Sequence, residues 1–181
     1  MKIILASSSP TRAAILLEFG VEFEQFAPEY DESLVPLTLP RNYACAVVAE
    51  KAKQFFFKFE NAKNVLFADS SVICEEQILG KAKDEEHAKA MLELQSGRVA
   101  SVYTAMKFVG ERYTLDMLSV ASYRFFKFES ADLASYLASG QWRGKAGAMC
   151  IEGFNKKYIA DSRGNPYTAM GLDIINLKAY L

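Results

Sequence analysis

Two long runs rich in β-branched and aromatic residues, Val99 to Val109 and Tyr113 to Phe128, flank Gly110-Glu111. Runs of that kind around a glycine-containing turn read as a β-hairpin. A chain that commits so much of its length to one hairpin must build its sheet around it. The rest of the chain alternates. Lys2-Ile3-Ile4-Leu5-Ala6 reads as a short buried strand that runs through Ser7-Ser8-Ser9 into Pro10, where a helix begins. Ser9 suits the N-cap and Pro10 the first helical position, while Ala13, Leu16 and Leu17 form an apolar stripe. Gly20 stands where a left-handed C-terminal residue is wanted, and Val21 to Phe26 follows as a second strand. After a proline-spaced stretch, 28–40, a long helix is expected from about Arg41 to Phe59. Val65-Leu66-Phe67-Ala68-Asp69 reads as a buried strand ending in a carboxylate, which Val72-Ile73-Cys74 continues or pairs with. Asp84 caps a helix to about Leu94, and Ser130 caps another that carries Leu133, Tyr136 and Leu137. Two short strands, around Met149-Cys150-Ile151 and Tyr158-Ile159-Ala160, and a closing helix from Leu172 to Leu181 complete the expectation. Alternation around an inserted hairpin predicts an α/β fold with a mixed sheet, in a single domain spanning residues 1–181.

Composition narrows the function classes. A net charge of −1 gives no general attraction to nucleic acid or to an acidic membrane, so any anion site must be local. Cys45, Cys74 and Cys150 form no CxxC pair and no Cys/His cluster, which argues against structural zinc and fits a reducing cytoplasm. The apolar run before Ser7 is too short for a signal peptide and no stretch is long enough to span a bilayer, so a soluble, cytoplasmic chain is expected. His87 is the only histidine, and it falls in the first turn of a helix, which makes a Ser-His-Asp hydrolase a poor fit. Neither a P-loop nor a dinucleotide-binding glycine motif occurs.

Several residues carry possible chemistry. Arg12 falls in the first turn of the first helix, where the helix dipole disfavours a cation. Strand, serine-rich turn, helix start and arginine together describe an anion site; the alternative is a solvated arginine. Lys51 lies in the middle of the apolar face made by Ala44, Val47, Val48 and Phe55, so its ammonium needs a partner or an escape to water. Asp69 ends an apolar strand, where an Asp can hold a divalent metal, orient a water or take its proton, or else cap the next turn. Asp31 and Glu32 form an acidic pair suited to a hard cation, or simply to solvent. Lys81 and Lys83 flank Ala82 just after Gly80, spaced so that both can reach one polyphosphate. Phe55-Phe56-Phe57 cannot all face one core, so one of them is a candidate for an interface.

Taken in order, these segments resemble the Maf family, the septum-formation-protein group of nucleotide pyrophosphatases. The resemblance begins at Leu5-Ala6-Ser7-Ser8-Ser9-Pro10-Thr11-Arg12 and runs through Asp31-Glu32, Glu50-Lys51-Ala52, Ala68-Asp69-Ser70 and Ile78-Leu79-Gly80-Lys81-Ala82-Lys83-Asp84. It ends with Ser96-Gly97, Val102-Tyr103-Thr104 and Lys145-Ala146-Gly147-Ala148. It implies a mixed sheet flanked by helices in two lobes around a substrate cleft, similar to the ITPase-like folds, and frequently a homodimer. The implied reaction removes pyrophosphate from a nucleoside triphosphate with the aid of a divalent cation, Mg2+ or Mn2+, and so clears non-standard nucleotides. By matching motif, Asp69 is the proton acceptor, and Glu32 and Asp69, with Asp31 as helper, hold the metal. Ser7, Arg12 and Lys83 hold the triphosphate together with Lys51 and Lys81, which belong to the catalytic set.

The departures bear on specificity. Thr11 stands where the family usually has arginine or tryptophan, Ser70 where it has threonine or glutamine, and Asp173 where it has proline. Glu152, in Ile151-Glu152-Gly153-Phe154, leans toward the branch acting on 7-methyl-GTP, since a carboxylate accepts hydrogen bonds from guanine's N1–H and exocyclic amine. Two other classes remain open: a nucleotide-binding regulator of cell division with weak or no catalysis, and a phosphatase for small phosphate esters.

Overall fold

The computed structural model describes residues 2–36 and 39–181. Met1, and Leu37 and Thr38 of the proline-spaced stretch, lie outside the described residues. The elements in chain order are β1 (Ile3–Leu5), α1 (Pro10–Glu18), β2 (Phe23–Gln25), α2 (Tyr43–Lys58), β3 (Val65–Cys74), β4 (Gln77–Leu79), α3 (Glu85–Gln95), β5 (Val99–Val109), β6 (Thr114–Phe125), α4 (Ser130–Ser139), β7 (Ile159–Arg163), α5 (Pro166–Ala169) and α6 (Ile174–Leu177). They form one seven-stranded sheet in the order β2-β1-β3-β5-β6-β7, with β4 paired to β3. β1 runs parallel to both β2 and β3, and every other pairing is antiparallel. The sheet is therefore mixed, and the β5–β6 hairpin is its spine. No helix among the described residues is long and apolar enough to cross a membrane.

β3 is buried along its length except at Asp69 and Ser70, and the apolar packing divides there. Before that point Leu66 and Ala68 pack with Ile3, Leu16, Phe108 and Leu172 on one face, while Val65 and Phe67 pack with Ala44, Val48 and Phe55 of α2 on the other. Beyond it Val72 and Cys74 join Val102, Ala121, Tyr123 and Met149, and α3 and α4 pack further out around Trp142. The three long strands thus run through two apolar bodies, and the junction between these lobes is polar.

Several sequence expectations change. Glu75 and Glu76 both take positive φ (50° and 58°) and turn β3 back into β4, a strand that no Gly or Asn signalled. Cys150 is not in a strand: its N–H donates to Asn155 Oδ1 at 2.7 Å and its carbonyl accepts from Gly153 and Asn155, so its backbone has nothing left for a ladder. The closing helix is only α6 followed by a 3₁₀ turn, Lys178–Tyr180. A 3₁₀ turn, Pro40–Asn42, likewise precedes α2, and Glu129 rather than Ser130 takes the N-cap of α4. Of the three phenylalanines, Phe55 is buried and Phe57 is 91% exposed.

Candidate active site

The helix start after β1 forms for the reasons its sequence suggests. Ser9 Oγ accepts the Arg12 N–H at 3.3 Å and Pro10 takes the first position, which fixes Arg12 in the first turn. Its side chain is held by three acceptors. Nε donates to the Gly171 carbonyl at 2.8 Å, Nη1 to Ser7 Oγ at 2.9 Å and Nη2 to Ser70 Oγ at 3.5 Å. Burial pulls the guanidinium below its ordinary value, and the nearby charges of Asp69 and Glu32 act to raise it. An arginine so placed stays cationic.

Lys51 lies on the buried stripe of α2, and its ammonium is answered by two carboxylates rather than one. It sits 2.8 Å from Asp69 Oδ1 and 2.8 Å from Glu32 Oε1, with the Tyr30 ring centroid at 5.9 Å. Its side chain is 12% exposed and that of Asp69 17%, so this ion pair has limited screening by water. Glu32 opens a 3₁₀ turn, Glu32–Leu34, which Gln54 buttons to α2: Gln54 Oε1 accepts the Asp31 N–H at 2.9 Å and its Nε2 donates to the Asp31 carbonyl at 2.8 Å. Nothing in the motifs singles out Gln54, though its position three residues after Lys51 puts both on one helical face.

Asp31 does not join Glu32 at Asp69. Its Oδ1 accepts both the Ser33 N–H at 3.0 Å and the Ser33 hydroxyl at 2.5 Å, and these bonds hold its carboxyl below the ordinary value. The structure makes Asp31 the cap of the turn that presents Glu32.

Lys81 and Lys83 follow β4, which runs back along β3 and leaves the sheet at Leu79, opposite Val72. Lys81 forms a β-bridge with Ala146, and the Gly147 N–H donates to the Gly80 carbonyl at 2.8 Å. Both lysines are exposed, and neither is ion-paired among the described residues. His87 is half-buried rather than free on the helix surface, its Nδ1 accepting the Lys83 N–H at 3.4 Å. Lys145 precedes the bridging Ala146, and its Nζ pairs with Glu152 Oε1 at 3.1 Å. Burial by itself raises the Glu152 carboxyl; its own backbone N–H, Lys145 and the Cys150 thiol outweigh that and leave it below the ordinary value. Thr11 is half-buried in the first turn of α1 and makes no side-chain hydrogen bond among the described residues.

No group of three or more His, Cys, Asp or Glu able to hold a metal occurs among the described residues. Glu32 and Asp69 are the two carboxylates that converge. Each meets Lys51 through one oxygen, and Asp69 Oδ2 and Glu32 Oε2 have no hydrogen-bond partner among the described residues. Two carboxylates fit a small octahedral cation that keeps waters and takes substrate phosphates as its other ligands.

The chain is similar to known proteins along its whole length. The family model for Maf-like proteins matches residues 2–181. A nucleoside triphosphate pyrophosphatase of Nitratiruptor sp. is 42% identical over 175 residues, covering 96% of this chain and 95% of that one. One from Campylobacter jejuni is 41% identical over 183 residues, 99% and 100% of the two chains. One from Helicobacter pylori is 34% identical over 184 residues, 100% and 95% of the two.

Proposed function

The chain belongs to the Maf family, and on that premise we propose that it is a nucleoside triphosphate pyrophosphatase acting at the junction of its two lobes. The observation that carries the assignment of the site is the Lys51 ammonium held between Asp69 and Glu32 where the apolar packing of β3 breaks. Asp69 accepts a proton from a water, whose oxygen bonds to the α-phosphorus. The α–β anhydride breaks, and the bridging oxygen leaves with pyrophosphate, releasing a nucleoside monophosphate. Ser7, Arg12, Lys81 and Lys83 hold the triphosphate, and Lys51 turns from its carboxylates toward the phosphates as they arrive. Cations positioned before the reaction stabilise charge as it develops on the leaving group, and such preorganised stabilisation commonly lowers the barrier to phosphoryl-type transfer more than any other effect. Glu32 and Asp69 would hold a divalent cation, Mg2+ or Mn2+, which supplies further neutralisation of phosphate charge when bound. Asp31 supports this set by capping the turn that carries Glu32.

For the base, Glu152 is the specificity residue, with Thr11 and Ser70 as its helpers. An ionised carboxylate only accepts hydrogen bonds, which suits a guanine edge or a 7-methylated, cationic purine. The physiological role is then the clearing of non-standard nucleotides. A homodimer is part of the proposal through Phe57, whose exposed ring is the interface candidate on α2.

A substrate panel with Mg2+ or Mn2+ tests the reaction, with common triphosphates, 7-methyl-GTP and other modified nucleotides, and with Asp69→Asn alongside. Monophosphate plus pyrophosphate is expected from the wild type and is lost in the variant. Orthophosphate as the first product would make the protein a phosphatase, and no turnover by folded protein would leave a nucleotide-binding regulator.

A further inference from the structure

Thr104 lies mid-strand on β5 with no exposed surface, opposite Ser70 on β3 and Ser119 on β6. A buried hydroxyl in the centre of a sheet must find partners, and this one has two. Its Oγ1 is 2.6 Å from the Thr168 carbonyl oxygen and 2.7 Å from Ser70 Oγ. A carbonyl brings no proton, so the single proton of Thr104 goes to Thr168. The proton between the two hydroxyls therefore comes from Ser70, and Ser70 Oγ is left to accept from Arg12 Nη2. Donation runs one way: Arg12 guanidinium to Ser70, Ser70 to Thr104, Thr104 to the Thr168 carbonyl.

The path closes on itself. The Thr168 carbonyl also accepts the Gly171 N–H at 3.1 Å, and the Gly171 carbonyl accepts Arg12 Nε at 2.8 Å. Gly171 has φ of 102°, and a Cβ there would stand 3.4 Å from Arg12 Nε and 3.5 Å from Ser70 Oγ. The turn at 168–171, the strand hydroxyls and the guanidinium thus form one ring of hydrogen bonds, and Thr104 is the strand hydroxyl of the ring that is fully buried.

We propose that Thr104 is a positioning residue for nucleotide binding. It aims Arg12 at the triphosphate through the ring, and it commits the Ser70 proton inward so that Ser70 meets substrate only as an acceptor. The group of the nucleotide that faces Ser70 is then an N–H or O–H of base or sugar, and not a phosphate oxygen. This rests on Arg12 as a phosphate ligand.

The test measures Kd for a non-hydrolysable α,β-methylene nucleoside triphosphate, with KM and kcat for the natural anhydride. Thr104→Val keeps the shape and loses the hydroxyl; about a tenfold rise in Kd and KM is expected with kcat changed about threefold or less. Thr104→Ser keeps the hydroxyl and loses the methyl, and stays within about twofold of wild type. An unchanged Kd in Thr104→Val, or an equal loss in Thr104→Ser, overturns the proposal, since only packing is then at work. Should Thr104→Val fail to fold, the half-buried Ser70→Ala takes its place. Its Kd rises by a similar factor if the ring orients Arg12, and an unchanged Kd overturns that. Combined with Thr104→Val, Ser70→Ala adds less than it costs alone, because the ring step is already cut and only its own contact with the nucleotide remains to be lost; losses that multiply in full sink the ring. Arg12→Ala separates the two levels. No change in Kd there removes the phosphate role and this proposal with it, whereas a large change there with none in Thr104→Val removes the ring alone.

Discussion

Replacing Lys51 by methionine isolates the charge at the centre of the site. Methionine has similar length and suits the apolar stripe of Ala44, Val47, Val48 and Phe55, so the variant loses an ammonium and little packing. What it leaves is two carboxylates with no cation between them. Both oxygens lie 2.8 Å from Nζ, so they are at most twice that distance apart. At about 5 Å and an effective dielectric of about 20, two like charges repel by about 3 kcal/mol. Glu32 is 51% exposed, so it swings outward and water screens the remainder; the net loss of stability is about 1–2 kcal/mol. Activity suffers more, because the ammonium acts where charge develops on the leaving group. Removing one such preorganised group costs about a hundredfold to a thousandfold in turnover. Pyrophosphate release under saturating substrate measures the second quantity and urea unfolding the first. A variant that unfolds at lower urea yet turns over within about threefold of wild type would refute the reasoning, because the Lys51 ammonium would then be only a structural tie.

The other predictions concern separate parts of the molecule. Glu152→Gln exchanges an acceptor-only group for one that also donates, and the ranking of bases in the substrate panel shifts away from guanine-type nucleotides; an unchanged ranking removes Glu152 from base selection. Asp173 is buried and accepts from Ser119 at 2.5 Å, Asn165 at 2.9 Å and Asn176 at 2.7 Å, so Asp173→Ala lowers stability by about 2–4 kcal/mol in urea unfolding. Burial pushes Tyr30 up to about 12, and its buried hydroxyl has no hydrogen-bond partner among the described residues. The folded state therefore holds that proton after the unfolded chain, with its ordinary value of 10.0, has begun to lose it. Its contribution is fully present below pH about 10 and is lost as pH rises toward about 12. Tyr30→Phe makes the alkaline fall of stability shallower without lowering stability at neutral pH, where a steeper fall or a large loss would contradict the assignment.

How much of the molecule is legible in its sequence follows the range of the interactions. Ser9 and Asp84 cap their helices through contacts three residues away, and the sequence carries the whole signal. Lys51 is conspicuous because a charge in an apolar stripe must be answered by something, although the stripe does not say which carboxylates answer. Asp31 and Glu32 look alike as neighbours in sequence. The one-residue difference sends Asp31 to Ser33 and Glu32 to Lys51, and only backbone geometry separates them. β4 stays hidden because its turn is made by two glutamates at positive φ, residues that ordinarily avoid it. The link from Arg12 to the Gly171 carbonyl joins residues 159 positions apart, and no local pattern reports such a contact.

The position of the site follows from two constraints acting on β3. A strand buried on both faces has nowhere to hold a charge, so polar side chains collect where one apolar body ends and the next begins. Successive residues of a strand then point to opposite faces, so Asp69 and Ser70 cannot serve the same side of the sheet. Asp69 shares the face of Val65 and Phe67 and meets Lys51 from α2, whereas Ser70 shares the face of Leu66 and Ala68 and meets Arg12 from α1. The same break thus supplies a carboxylate on one side and a hydroxyl on the other, each answered by a cation from a different helix. The alternation also makes register critical, since a slip of one residue would exchange every pair on the strand. The hydroxyl row Ser70, Thr104 and Ser119 guards against that slip. Its members face one another across β3, β5 and β6, and the segment 165–176 ties down each of the three, through Gly171 and Arg12, the Thr168 carbonyl and Asp173 in turn. A one-residue slip would take the fully buried Thr104 hydroxyl away from Ser70 and the Thr168 carbonyl, at a cost of about 1–3 kcal/mol if it is left unsatisfied. The polar seam therefore favours the observed pairing of β3, β5 and β6, the sheet on which Asp69 meets Lys51.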